Sequence, residues 1–327
     1  MLISRMTYFC NLLLTMELVK DIENWDFKGE SIITIGTFDG VHKGHIKLLE
    51  RLNSLKTDNN QKLLVFTFEP HPRKVLFPEQ ADLQLLTTLT EKIELLENAG
   101  TDVLIVYPFT KEFSVIEPEI FVGDILKTKL KVKKIVIGHD HKFGKNRKGD
   151  IQTFRSLANN LNFEVEEIPA QQIDDLNISS TRIRKALFEG NIGVANDLLG
   201  YCYSVTGIVV HGLKRGKEIG FPTANIQIQD TDKLIPMKGV YFVKVFFAGI
   251  VYYGMMNVGI NPTINSDNKL KLEINIFNFD KSIYGEKIKI EFVQRIRDEK
   301  KFNSIEELRS QLEHDKMQCE KLIHINC

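Results

Sequence analysis

Apolar positions along the chain fall into two textures. From Ser31 to about Leu199, short runs rich in β-branched residues occur at Ile32–Phe38, Leu63–Phe68, Val103–Tyr107 and Lys134–Ile137. Stretches with helical spacing lie between and after them, over Ile46–Leu55, Glu91–Asn98, Pro118–Thr128 and Gln152–Asn160. Strand alternating with helix predicts βαβ units and a mostly parallel sheet. Helical amphipathicity over Arg182–Leu199 would close this half.

After Gly200 the strand-like runs follow one another without helices: Tyr203–Val210, Val240–Phe247, Val251–Val258, Leu270–Phe279 and Lys287–Phe292. Gly212, Gly216, Gly239, Asn261-Pro262 and Tyr284-Gly285 punctuate them. That pattern predicts an all-β unit, a small barrel. Ser304 to about Leu322 reads as one amphipathic helix, with Ser304 and Glu307 as a capping box. The expected fold is therefore α/β over 16–199 followed by all-β over 200–327, with the boundary near Gly200.

Length and charge narrow the picture. A chain of 327 residues suits two domains. Formal net charge is zero, so no strong field favours nucleic acid or an anionic membrane. The basic run Lys127–Lys134 reads as a solvated face beside a strand. Cys10, Cys202, Cys319 and Cys327 are scattered and form no CxxC, which points to a reducing, cytoplasmic setting without a disulfide framework or zinc site. Residues 1–15 (MLISRMTYFCNLLLT) read as a start-site extension, with Met16 opening the domain; a signal peptide is the alternative. No apolar run approaches the ~20 residues of a membrane-spanning helix. Oligomeric state is left open between monomer and homo-oligomer.

The candidate chemistry begins at Gly36-Thr37-Phe38-Asp39-Gly40-Val41-His42-Lys43-Gly44-His45. A strand runs into a glycine-rich turn, and a helix starts near Val41. The free N–H groups and dipole of that helix end form a ready anion site. His42 and His45, at i and i+3, share one helical face. Gly44 lets a phosphate come close to the backbone. Two imidazoles over a triphosphate could stabilise charge as pyrophosphate leaves. The competing readings are polar surface and half of a metal site. The spacing Gly138…Gly144-Lys145 does not make a Walker A loop.

This segment resembles the HxGH-type nucleotidyltransferases, and its wording resembles prokaryotic FAD synthetases. Phe68-Glu69-Pro70-His71-Pro72 is similar to that family's FxPHP element. Gly138-His139-Asp140-His141-Lys142-Phe143-Gly144 is similar to its flavin-side loop, and Ile178-Ser179-Ser180-Thr181-Arg182-Ile183-Arg184 to its ISST-x-x-R signature. The resemblance implies a Rossmann-like domain that adenylylates FMN. Asp140 would help hold FMN. Gly36, Phe38, Gly44, Ser180, Thr181 and Arg184 would bind ATP, and His42 and His45 would serve catalysis. Hydroxyls at a helix start followed by arginine suit phosphate. An ordinary Ser/Thr N-cap is the competing reading of the last segment.

The second half carries Gly212-Leu213-Lys214-Arg215-Gly216-Lys217-Glu218-Ile219-Gly220-Phe221-Pro222-Thr223-Ala224-Asn225. Glycines and cations before an extended stretch suggest an anion-cradling loop, or else a flexible basic hairpin. The GFPTAN string resembles riboflavin kinases. So do Asn257-Val258-Gly259-Ile260-Asn261-Pro262-Thr263, the pair Glu273 with Tyr284-Gly285, and Arg297-Asp298-Glu299-Lys300-Lys301-Phe302. That resemblance implies a Greek-key-type barrel making FMN from riboflavin and ATP by phosphoryl transfer, which is mainly positioning and charge neutralisation. Gly212 and Lys217 would face the nucleotide. Thr223 and Asn225 would bind phosphate and Mg²⁺, both through oxygen donors. Glu273 would be the general base. Alternation places Glu273 with Lys271 and Asn275 on the face opposite Leu270, Leu272, Ile274 and Ile276, which a solvated strand face would also show. Lys217 stands where the family often has arginine, which keeps charge but loses fork geometry. Together the resemblances imply a bifunctional flavin enzyme with riboflavin, FMN and ATP as substrates and FAD as a product. An enzyme with one decayed half and a non-catalytic flavin-binding protein are the rivals.

Overall fold

The structure is a computed structural model and describes residues 16–57, 60–80, 83–138, 151–168, 178–212, 215–260 and 270–326. Contacts divide the chain into two compact units: Met1–Leu83 with Leu89–Asn177, and Gln84–Thr88 with Ile178–Cys327. The helices over 178–199, read from the sequence with the first half, therefore pack with the second unit.

The first unit is built on six parallel strands: β1 (Glu17–Val19), β2 (Glu30–Ile35), β3 (Gln61–Glu69), β4 (Val103–Pro108), β5 (Val132–Gly138) and β6 (Glu164–Ile168). Their order is β1-β4-β3-β2-β5-β6. Strand alternation splits the core into two layers. Ile33, Leu64, Phe66 and Ile105 face Val122 and Phe154. Ile32, Leu63, Val65 and Leu104 face Leu49 and Leu52 of the helix Lys43–Ser54. The chain winds from β2 outward through β3 to β4, then returns to β5 on the other side of β2. The carboxyl ends of β2 and β5 thus flank a topological switch point, where open α/β sheets bind ligands.

All four strands expected here are present. β1 and β6 are additional. β6 was hidden because its sequence Glu-Val-Glu-Glu-Ile is acidic. As an edge strand it turns that charge outward, onto Lys134 (2.7 Å to Glu164), Arg51 (2.5 Å to Glu166) and Arg155 (3.3 Å to Glu167). The helix expected over Pro118–Thr128 is α-helical only at Pro118–Ile120 and widens to π geometry over Phe121–Lys129.

The second unit is a closed antiparallel barrel of β7 (Ser204–Val210), β8 (Ala224–Gln227), β9 (Gly239–Phe247), β10 (Ile250–Ile260), β11 (Leu270–Ile276) and β12 (Lys287–Arg297), in the order β10-β11-β8-β7-β12-β9. Val205, Val243, Val245, Met256, Val258, Ile274, Ile290 and Phe292 belong to its buried core. That core continues onto Ile183 and Leu187 of the helix Ser180–Phe188, and onto Ala195 and Leu199 of the helix Ile192–Leu199. These two helices replace the single expected stretch. The break is at Gly190, whose φ of +74° suits glycine, and where a Cβ would lie 2.8 Å from Arg295. The last helix, Ile305–Asn326, sets Leu312, Cys319 and Leu322 against Phe242, Met255 and Phe277 of the barrel. Its start forms one arm of the expected box, Glu307 N donating to Ser304 Oγ (3.1 Å), while Glu307 Oε2 accepts from Asn303 N (3.0 Å) instead of from Ser304 N.

Candidate functional site

The segment after β2 is pinned before it reaches the helix. Gly36 N donates to Phe66 O (3.0 Å), and Thr67 Oγ1 donates to Thr37 O (3.2 Å). Three of the four turn positions from 38 to 41 then take positive φ: Phe38 (+48°), Gly40 (+85°) and Val41 (+33°). For a β-branched valine this is a strained conformation, held by burial of both Phe38 and Val41 in the core. A Cβ on Gly36 would meet the Phe38 ring at 3.1 Å. The turn delivers His42 to the N-cap of the helix Lys43–Ser54, with no side chain capping its first N–H groups. The sequence reading expects an anion at such donors.

His42 is buried and His45 partly so, and their rings stack at 3.7 Å, 14° from parallel. Phe38 backs His45 at 4.8 Å. Among the described residues, the Nδ1 atoms of both rings are shut off from solvent and have no hydrogen-bond partner. Burial pushes His42 down to about 4, against an upward pull from Asp39. Burial, then the neighbouring His42 and Lys92, hold His45 well below its usual range. Both imidazoles are therefore neutral at physiological pH. They can offer hydrogen bonds to a phosphate but not positive charge. Two orphaned ring nitrogens beside uncapped helix N–H groups fit an anionic ligand, since a buried polar atom without a partner is costly.

Lys92, on the helix Leu89–Asn98, is 5% exposed and was not singled out from the sequence. It sits next to Glu91 on an amphipathic helix, where a lysine reads as surface. Burial lowers its ammonium, while Asp39 and Glu69 raise it. His71, from the FxPHP-like element, is buried and accepts from Arg73 N through Nδ1 (3.2 Å). Asp140 lies outside the described residues.

Ser180, Thr181 and Arg184 lie on the first two turns of the helix Ser180–Phe188, in the second compact unit. The capping role falls to Ser179, whose Oγ accepts from Arg182 N (3.2 Å). The hydroxyls of Ser180 and Thr181 thus stand at the first two helical positions. Arg184 Nε donates to Gln84 O (2.8 Å) within the same unit.

The barrel residues converge more closely than their sequence spacing indicates. Asn225 on β8 pairs with Glu273 on β11, and Glu273 pairs with Asn257 on β10. Directly paired residues share a face, so Asn225, Glu273 and Asn257 form one row across three strands. A Cβ on Gly212 would lie 1.9 Å from Asn225 Nδ2, which places the Gly212 backbone against that amide. Thr223 Oγ1 would lie 3.3 Å from a Cβ on Gly216. A Cβ built on Gly259, which pairs with Lys271, would meet both Glu299 Oε1 and Asn257 Nδ2, so the Arg297–Phe302 stretch comes near the Asn257 end of the row. Glu273 Oε1 pairs with Lys271 Nζ (2.8 Å) and is partly exposed. Asn275, placed by alternation on the same face, is buried, with Nδ2 donating to Pro222 O (2.7 Å). Lys217 is exposed on the short helix Arg215–Glu218. Thr223, Asn225 and Glu273 offer hydroxyl, amide and carboxylate oxygens, the donor set of a hard divalent cation.

Comparison with known proteins matches each half of the chain to a family model. The family model described as FAD synthetase matches residues 25–182, and that described as riboflavin kinase matches residues 199–323. A curated protein from Listeria monocytogenes, "Bifunctional riboflavin kinase/FMN adenylyltransferase", is 40% identical over 87% of this chain and 90% of its own. One of the same name from Bacillus subtilis is 39% identical over 89% and 92%. A crystal structure from Streptococcus pneumoniae, titled as a macrolide-efflux protein, superposes with a TM-score of 0.85 at 32% identity, covering 93% of this chain and 98% of that one. Among the described residues no helix is long and apolar enough to cross a membrane.

Proposed function

This chain belongs to the bifunctional riboflavin kinase/FMN adenylyltransferase family, and we propose that its two activities divide between the two sites just described. It is a transferase that phosphorylates riboflavin with ATP to FMN and adenylylates FMN with ATP to FAD, releasing pyrophosphate. The first reaction is assigned to the barrel row of residues 200–327. The second is assigned to the His42–His45 turn within residues 16–199. The observation that carries the assignment is the stacked, neutral His42–His45 pair at the carboxyl end of β2.

In adenylyl transfer, Gly36 and the strained Phe38–Val41 turn let the helix N–H groups face a triphosphate, and Gly44 keeps that approach open. His42 and His45 donate hydrogen bonds from neutral rings to oxygens that gain charge as the bond to pyrophosphate breaks. Ser180, Thr181 and Arg184 would hold phosphate oxygens, and Asp140 the FMN.

In the kinase reaction, Glu273 accepts the proton of the ribityl hydroxyl as that oxygen attacks the γ-phosphorus. Gly212 and Lys217 face the nucleotide. Thr223 and Asn225 would hold Mg²⁺, which neutralises phosphate charge when bound. The setting is cytoplasmic, and the partners are small molecules, without nucleic acid or membrane.

The test is to incubate the purified chain with riboflavin, ATP and Mg²⁺ and to separate flavins by chromatography. FMN followed by FAD is expected, with each step abolished separately by substitution at its own site. Loss of both steps from one substitution in a folded protein overturns the division.

A further inference from the structure

The neutrality of His42 and His45 leaves a charge question at the adenylyl-transfer site. A triphosphate and a departing pyrophosphate carry several negative charges, and two uncharged rings do not balance them. Lysine is rarely buried unless paired. Lys92 is 5% exposed, and its electrostatic neighbours come from three separate places: Asp39 on the turn, Glu69 at the carboxyl end of β3 and His45 on the helix. Its own helix packs Leu96, with Leu89 and Ile93, into the core that buries Phe38 and Val41. Lys92 is thus held at the site by packing, at the same sheet edge as the two imidazoles.

We infer that Lys92 is a catalytic cation of FAD synthesis, its ammonium binding the β- and γ-phosphates of ATP and then the departing pyrophosphate. The step is conventional in its balance. An FMN phosphate oxygen forms a bond to the α-phosphorus of ATP, and the bond from that phosphorus to its bridging oxygen breaks. Pyrophosphate leaves with the electron pair. The part Lys92 plays is to meet the charge on the leaving oxygens. Burial lowers the Lys92 ammonium, and Asp39 and Glu69 oppose that lowering. A lysine that only bridged two carboxylates for stability would not change its environment on pyrophosphate binding.

The inference rests on the assignment of adenylyl transfer to the His42–His45 site, and the experiment separates the two. Full-length Lys92→Met, Lys92→Arg and His45→Ala are assayed for FAD from FMN, with FMN from riboflavin measured in parallel. The fluorescence of Trp25, the single tryptophan and part of the first unit, reports whether that unit is folded. Pyrophosphate is titrated against each variant, and its affinity is read from the shift of the Trp25 thermal transition.

Lys92→Met is expected to slow FAD formation at least about 100-fold, to raise the KM for ATP and to abolish the pyrophosphate-dependent shift. Lys92→Arg should recover part of both, and FMN formation should be unchanged. Because Lys92→Met strands two carboxylates, Lys92→Met with Glu69→Gln carries the same test if the single variant loses the Trp25 transition. A folded variant without the Lys92 charge that makes FAD at the wild-type rate overturns the inference. Normal FAD formation by His45→Ala overturns the site assignment instead.

Discussion

The imidazoles of His42 and His45 stack 3.7 Å apart with their planes 14° from parallel, each keeping a buried ring nitrogen without a partner among the described residues. Protonating both rings at that spacing would set two like charges in contact, which burial also opposes. The pair is set up to donate hydrogen bonds without a change of protonation. His45→Ala removes one donor and the ring that Phe38 backs. FAD formation from FMN is expected to fall by about 100-fold or more, the usual cost of losing one preorganised donor. FMN formation from riboflavin should continue. Chromatography of both flavins in one reaction reads both outcomes.

The same burial makes the first unit sensitive to acid. Unfolded, His42 binds a proton near its ordinary 6.5; folded, it does so only near 4. Above pH 6.5 neither state is protonated there, and His42 has no effect on stability. Between 6.5 and 4 the unfolded chain takes up a proton that the native state refuses, so stability falls as pH falls. The loss from His42 is about 2 kcal/mol between pH 7 and pH 5. Urea unfolding followed by Trp25 should therefore show a lower midpoint at pH 5. His42→Gln should flatten that dependence; an unchanged slope in the variant would rule out His42 as its source.

In the barrel, Glu273 stands between Asn225 and Asn257 in one cross-strand row. Glu273→Ala removes the proposed base while leaving the buried Leu272 and Ile274 in place. The rate of FMN formation should drop about 100- to 10,000-fold, the range for a general base. Conversion of supplied FMN to FAD should not change. A kinase rate equal to wild type sinks the assignment of Glu273.

Gly212 offers a gentler probe of the same row. An added Cβ would lie 1.9 Å from Asn225 Nδ2, so Gly212→Ala must displace that side chain. The obstacle is the end of a side chain and not backbone, so the fold should survive. The expected result is a kinase with a raised KM for ATP and a lowered kcat. FAD formation from FMN and the unfolding midpoint should stay near wild type.

How far these sites could be read from the sequence depends on which residues carry them. Strands β2 to β5 declared themselves because buried parallel strands are continuous apolar runs. β8 did not, because Ala-Asn-Ile-Gln is four residues long with one buried side chain, Ile226. The His42–His45 turn was legible from strand, glycine and helix in succession. Its charge state was not, since burial is a property of the packed unit. Glu273 could be assigned to the outer face by alternation. Its neighbours Asn225 and Asn257, 48 residues before it (273 − 225) and 16 before it (273 − 257), are set by strand register, which no local pattern encodes. Lys92 is the clearest miss: beside Glu91 on an amphipathic helix, nothing but tertiary packing marks it as buried.

Arg297 tests what holds the end of the barrel together. Its Nε and Nη2 both reach Asp315 on the last helix, at 2.9 and 2.7 Å to Oδ2, and Gln311 Nε2 donates to Oδ1 (2.9 Å). The Asp315 side chain is 1% exposed, whereas that of Arg297 is 20% exposed. Removing the arginine therefore strands a buried carboxylate, and the penalty falls on the carboxylate rather than on the lost attraction. Arg297→Met should destabilise the second unit by about 3 kcal/mol, at the lower end for a broken buried pair because Gln311 still donates. Arg297→Met with Asp315→Leu should recover most of that loss, since an apolar pair carries no charge-desolvation penalty. Urea denaturation followed by circular dichroism, with the kinase rate as the local readout, distinguishes the cases. If the double variant is as unstable as the single one, the pair is held by packing that leucine cannot replace, and burial of charge is not what sets its contribution.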